Sequence, residues 1–228
     1  MKKIIVVIYL VLGVNTFANL TLKIPKPLGE MIPTGYKVIE QIHGDLNKDE
    51  QDDVVLIVKK IDKSKIVTDE HGKVVDRNRR GVLIALKNND TYDMVIKNLS
   101  CFSSENEYGG AYFPPELYFN IAKGNLYFHY GHGRYGYWEY TFRYENRDFK
   151  LIGYDNSRNR GPIILEVISI NFLTEKMLIK KNLKPSEESG KEVFKETWEK
   201  FSMPTSIGLS EIHDFDRLYI QRMIEESQ

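Results

Sequence analysis

The feature that most constrains this chain is a succession of short β-type runs separated by polar turns. The runs lie at residues 37–43, 53–61, 81–86, 92–96, 117–121, 126–130, 137–144, 149–154, 164–172 and 176–179. Between them stand Asn88-Asn89-Asp90, Lys123-Gly124-Asn125 and Asn146-Arg147-Asp148. Glycine and asparagine tolerate positive φ, so these clusters suit hairpins. Strands at such spacing predict an antiparallel meander. Helical patterns do not alternate with them, which argues against a parallel βαβ sheet. Tyr140, Phe142 and Tyr144 alternate with Thr141 and Arg143, the period of a strand with one face buried. The expected fold class is all-β, propeller-like or sandwich-like, with a short C-terminal helical segment. At 228 residues the chain is short for a complete multi-bladed propeller.

Three stretches depart from the meander. Residues 19–36 hold Pro25, Pro27 and Pro33 with Gly29 and Gly35, and proline fixes φ and removes a donor. They predict an extended arm. The charged run 187–200 leads into Phe201, and Phe194, Trp198 and Phe201 stand four and three apart. That fits a short amphipathic helix, with an edge strand as the alternative. Residues 210–227 predict a helix. Ser210 would cap it, Glu211 and Asp214 would favour its N-terminal dipole, and Ile212, Phe215, Leu218, Tyr219 and Met223 would form its apolar stripe. The expected organisation is a leader at 1–18, an arm at 19–36 and one β-rich domain at 37–228. Loops 62–80 and 98–115 are long enough to be candidate functional surfaces.

The leader is read from MKKIIVVIYLVLGVNTFA. Lys2 and Lys3 precede an apolar run of 11 residues, and Thr16-Phe17-Ala18 offers small residues for cleavage. This is the three-part pattern of a secretory signal peptide. The run is too short for a bilayer, which takes about 20 residues. No cysteine follows it, so a lipid anchor is not expected. The reading implies a periplasmic or secreted protein with no membrane span after cleavage.

Composition narrows the function classes. There are 32 basic and 32 acidic side chains and 42% hydrophobic residues. A dedicated nucleic-acid binder usually carries a basic excess, so no nucleic-acid partner is expected. The single cysteine, Cys101, excludes a disulfide framework and a Cys-rich zinc site. Its neighbours Leu99 and Phe102 predict a buried thiol.

The sharpest chemical motif is GDLNKDEQDD at 44–53, followed at once by VVLIV. With Asp45 as position one, oxygen-bearing side chains fall at Asp45, Asn47, Asp49 and Asp53, and Gln51 offers its carbonyl at position seven. A hard divalent cation needs six to eight oxygens, and alternate residues of a tightly wound loop can point inward together. Calcium is the expected ion. Leu56 stands where a helix–loop–helix site has its bidentate glutamate, so the loop must join two strands instead.

That arrangement resembles the loop of integrin-type FG-GAP and VCBS repeats. Gly44, Asp45, Asn47, Asp49 and Asp53 match its pattern, and residues 54–58 supply its strand. Lys48 and Glu50 stand where the family usually has glycine. A non-glycine residue at positive φ costs roughly 1 kcal/mol. The chain also resembles a group of uncharacterised secreted bacterial proteins over roughly residues 38–180. The matching residues are Gly109, Gly110, Gly131, Trp138, Phe142, Arg143, Tyr144, Leu151, Ile152 and Gly153, with the strand at 168–173. Glu175 replaces a usual glycine. The resemblance implies fold and export, and no activity.

Residues 127–144 hold nine aromatic side chains. Tyr135, Tyr137, Trp138 and Tyr140 form a possible ligand face, since tyrosine and tryptophan pair apolar area with a polar handle. A carbohydrate or another protein is the expected ligand. Cross-strand pairs stabilising a sheet would explain the same composition. His129, His132 and Glu139 suggest a weaker metal constellation. His213, Asp214 and Asp216 read as solvated polar surface. No Gly-x-Ser-x-Gly elbow occurs, and Cys101 has no histidine near it in sequence. The sequence therefore favours a non-catalytic binding or structural module of the bacterial envelope, stabilised by calcium. The alternatives are a periplasmic hydrolase acting on glycans and an inhibitor or immunity-type partner.

Overall fold

The computed structural model describes residues 24–107, 116–185, 190–203, 205–218, 220 and 223–224. The leader, the Gly109-Gly110 pair and residues 19–23 of the arm lie outside them.

After a single helical turn, α1 (Lys26–Gly29), the chain runs through β1 (Tyr36–Gly44), β2 (Asp53–Lys60), β3 (Ile66–Thr68), β4 (Val74–Asp76), β5 (Arg80–Asn88) and β6 (Thr91–Phe102). It continues through β7 (Glu116–Ala122), β8 (Asn125–Gly131), β9 (Gly136–Glu145), β10 (Asp148–Arg160), β11 (Ile163–Asn171), β12 (Lys176–Asn182) and β13 (Phe194–Lys200). Every pairing is antiparallel. The small sheet has the order β1-β2-β5-β6, the large one β13-β12-β11-β10-β9-β8-β7, and β3-β4 is a separate ribbon. The meander is as expected, and its two main sheets share one core.

Burial explains the run DVVLIV. In β2, Val55 and Ile57 join the core shared with Phe128, Phe142 and Leu151 of the large sheet. Val54, Leu56 and Val58 face the other way, onto Leu28 of the arm with Ile24 and Ile32 packed beside it. Both faces are covered, so the strand does not alternate. Each such side chain contributes about 1.5–3 kcal/mol on burial. β1 lies against β7 and approaches it at Gly44, where a Cβ would stand 2.7 Å from Ile121 Cγ2.

Several expectations need correction. The arm is not wholly extended: Pro25 precedes the turn Lys26–Gly29, whose Leu28 is fully buried. Proline suits the first turn of a helix, where its missing N–H has no intrahelical partner. Loop 62–80 contains a 3-10 turn, Lys63–Lys65, and the β3-β4 hairpin. The region 98–115 begins with the end of β6. The run before Phe201 is the edge strand β13, not a helix.

The helix expected at 210–227 is not formed over its first half. Two 3-10 turns, Leu209–Glu211 and Phe215–Arg217, stand there with extended backbone between them. The cause is local. Asn98 Nδ2 donates to Leu209 O at 3.0 Å and to Ile212 O at 2.7 Å, taking carbonyls that a helix would use. Ser210 caps nothing and donates its hydroxyl to Asp148 Oδ2 at 2.5 Å. Ile220, Met223 and Ile224 are helical, and the remaining positions from 219 lie outside the described residues. The apolar stripe nevertheless reaches the core through Ile212, Phe215, Ile220 and Ile224.

Candidate functional site

The tail crosses the inner face of the large sheet and leaves a cavity of about 700 Å³ beside it. Its walls come from β9, β10, β11, the 3-10 turn Gly133–Tyr135 and the turn Phe215–Arg217. All four residues of the expected ligand face line it: Tyr135, Tyr137, Trp138 and Tyr140. They do not form one flat platform. Strand alternation turns Trp138 and Tyr140 inward, and Tyr140 packs edge-on against Phe215 at 5.2 Å. Tyr137 turns the other way and stacks on His129 at 4.8 Å. Tyr135 stands exposed at the rim. The face is thus a concave aromatic site, with Tyr140 and Tyr154 buried in its floor. Burial pushes both phenols above the ordinary tyrosine range, so both stay protonated.

The bend that shapes the mouth depends on Gly136. Its φ is +112°, and a Cβ there would fall 1.7 Å from Ser157 O. Only glycine fits. The turn before it sets His132 against Trp138, with ring centroids 3.8 Å apart. Burial lowers the His132 pKa to about 4, and His129 adds to the shift. The imidazole is therefore neutral at neutral pH. Trp138 Nε1 is buried and has no hydrogen-bond partner among the described residues. A buried indole N–H without an acceptor costs free energy.

Polar groups complete the walls: Asn156, Asn159, Arg158, Glu166 and Asp216. Arg158 and Glu166 pair across the sheet at 3.7 Å. Asp216, read from sequence as solvated surface, stands at the cavity rim, and desolvation raises its carboxyl above the ordinary range. The sequence reading missed His132's place here, and it missed the wall residues 156–159. The β-type run read from the sequence ends at Tyr154. In the structure β10 continues to Arg160. Polar residues on a long strand extension were the available signal.

The weaker constellation is not assembled. His129 Nδ1 lies 3.1 Å from Glu139 Oε2, whereas His132 packs on Trp138. Among the described residues no three His, Cys, Asp or Glu side chains gather to hold a metal. Cys101 is buried, as expected, and burial pushes its thiol up to about 12.

The acidic loop joins β1 to β2, as its motif requires, with Gly44 opposite Asp53. Lys48 and Glu50 both have φ +67°, so the backbone takes the left-handed turns that glycine would favour. Asp45 Oδ1 accepts the N–H of Lys48 at 2.6 Å and of Asp49 at 3.1 Å, and its Oδ2 accepts that of Glu50 at 3.0 Å. Asn47 Oδ1 accepts the Asp49 N–H, and Asp49 Oδ1 accepts the Gln51 N–H. Gln51 Oε1 accepts the Asn89 N–H at 3.1 Å, tying the loop to the next hairpin. Asp53 is fully buried, and burial raises its carboxyl above the ordinary range. Asn47 Nδ2 donates to Asp49 Oδ2 at 2.8 Å, so the loop's polar side chains bind one another and its own backbone.

No family model matches the chain, and no curated protein or solved structure does either. Among the described residues no helix is long and apolar enough to cross a membrane.

Proposed function

We propose that the protein is an exported, non-catalytic binding module of the bacterial envelope that seats a carbohydrate in the cavity beside its tail. The observation that carries this reading is the concave aromatic wall that Tyr135, Trp138, Tyr140 and Tyr154 give to the cavity. Sugars offer apolar faces to aromatic rings and hydroxyls to polar side chains. Asn156, Asn159 and the Arg158–Glu166 pair supply donors and acceptors around the same space. Ligand sites of this kind are concave and mostly apolar, with a few convergent polar groups.

The test uses tryptophan fluorescence. Trp198 is the second of two tryptophans, so Trp198→Phe leaves Trp138 as the sole reporter. Titration with neutral oligosaccharides should give a saturable change, weakened at least tenfold by Tyr135→Ala. No change with any of them overturns the reading.

Calcium belongs to the same proposal. Asp45, Asn47, Asp49 and the Gln51 carbonyl would hold it, with Asp53 beneath them, and the ion would rigidify the β1–β2 turn. Calcium at about 1 mM should then raise the melting temperature by several degrees over EDTA. Asp49→Ala should abolish the rise.

A second reading, a glycan hydrolase, draws on Glu166 and Asp216, two carboxylates lining the cavity. Release of new reducing ends from the same oligosaccharides, lost in Glu166→Gln and Asp216→Asn, would replace the binding-module reading.

A further inference from the structure

β13 ends the large sheet and pairs only with β12 among the described residues. Its backbone directions can be read from two hydrogen bonds. Phe201 N–H donates to Glu175 O at 3.0 Å, and Leu183 N–H donates to Val193 O at 2.8 Å. Both fit the unbroken β12–β13 register. In an antiparallel ladder each residue turns its N–H and C=O to one side, and the next residue turns them to the other. Lys195, Thr197 and Glu199 therefore face β12. Phe194, Glu196, Trp198 and Lys200 present their backbone groups to the open edge. Trp198 is 63% exposed, unusual for a tryptophan.

Charged side chains ordinarily guard such an edge against pairing. Here their order does the opposite. The run Glu196-Thr197-Trp198-Glu199-Lys200 carries opposite charges at its two ends and so complements its own reverse. A two-fold antiparallel copy centred on Trp198 sets Glu196 opposite Lys200 of the second copy, twice. It also sets the two Trp198 side chains together on the axis. Centring between Thr197 and Trp198 would oppose like charges, Lys195 to Lys200 and Glu196 to Glu199. Backbone parity forbids that register, because it pairs an outward residue with an inward one. Within each copy Lys180 holds Glu196 at 2.7 Å and Glu175 holds Lys200 at 3.1 Å. Charge then alternates across the junction: Lys180, Glu196, then Lys200 and Glu175 of the second copy.

We propose that the protein forms a two-fold homodimer in which the large sheets of two copies join along β13 into one continuous sheet. The contact is isologous, so it closes on itself and leaves no β13 edge free for a third copy.

Light scattering of the purified chain over a concentration series tests this. The wild type should be a dimer. Glu196→Lys should weaken it at least tenfold, while the monomer's melting temperature falls only by what the exposed Lys180 pair contributes. Glu196→Lys with Lys200→Glu restores the opposite charges and should restore the dimer. A wild type that stays monomeric at every concentration overturns the proposal, as does a Glu196→Lys variant that remains fully dimeric. A dimer broken by Lys195→Glu but not by Glu196→Lys overturns this register in favour of pairing centred on Thr197.

Discussion

The buried carboxylate of Asp53 accepts the backbone N–H of Lys87 at 2.9 Å, joining the acidic loop to the far end of β5. Its other oxygen accepts the Leu46 N–H at 2.8 Å. One side chain thus holds the start of the loop, its end and the neighbouring strand. Asp53→Asn would set an NH₂ against one of these N–H donors. Leaving a buried donor unsatisfied costs about 1–3 kcal/mol, a fall of roughly 2–12 °C for a chain of this size. Thermal melts should show that fall equally in EDTA and in calcium, because the bonds are to backbone. A loss seen in calcium alone would make Asp53 an ion ligand before it is a clasp.

Glu50 should be the reverse case. It holds φ +67° in an exposed turn, and no hydrogen bond or ion pair engages its side chain among the described residues. Glu50→Gly relieves a left-handed conformation that costs an L-residue about 1–2 kcal/mol. Glycine's extra unfolded-state entropy takes back about 0.5–1 kcal/mol. The net gain is at most about 1.5 kcal/mol, so the melting temperature should rise by up to about 6 °C. Glu175, at φ +53°, should not behave alike, since its carboxylate binds Lys200 at 3.1 Å and Ser202 at 3.0 Å. Glu175→Gly loses those contacts and should give little or no gain.

These positions mark what was legible in the sequence. Strands were readable because apolar runs, alternation and turn residues agree locally. The turns at Asn89, Lys123 and Asn146 all take positive φ, as their composition suggested. The loop motif was readable because its spacing is its geometry. The tail was not, because its periodicity is truly helical. Ile212 and Phe215 do point to one core, but Asn98 takes the carbonyls, and Asn98 lies more than 100 residues away in sequence. The run before Phe201 failed similarly, since charges suit a helix surface and a sheet edge equally. The cavity was half legible. Aromatic density flagged Trp138 and Tyr135, whereas Phe215, Asp216 and the 156–159 wall reach it only through tertiary packing.

Asn98 therefore offers a direct test of the tail. Asn98→Ala removes both bonds, to Leu209 O and Ile212 O, and leaves two carbonyls without their donor. A loss of about 1–3 kcal/mol follows. It should be concentrated in the tail and not spread through the sheets. Hydrogen exchange should show faster opening at residues 209–218, with β8 and β9 amides keeping their protection. Equal acceleration everywhere would mean that the tail does not open as a separate unit.

His132 sets a pH dependence whose sign can be worked out. Its folded pKa is lowered from 6.5 to about 4, chiefly by burial against the aromatic wall. Between those values the unfolded chain binds a proton that the folded chain refuses. Stability then rises with pH across that interval and is progressively lost as pH falls from 6.5 toward 4. One pKa unit corresponds to about 1.36 kcal/mol, so the full interval is worth at most about 3 kcal/mol. His132→Gln removes the titrating group while keeping a polar side chain of similar reach. Melting curves from pH 7.5 to 4.5 should therefore fall more steeply for the wild type than for His132→Gln. Parallel curves would show that the imidazole is hydrated in the folded state, and the cavity wall beside Trp138 would then be open to water at that point.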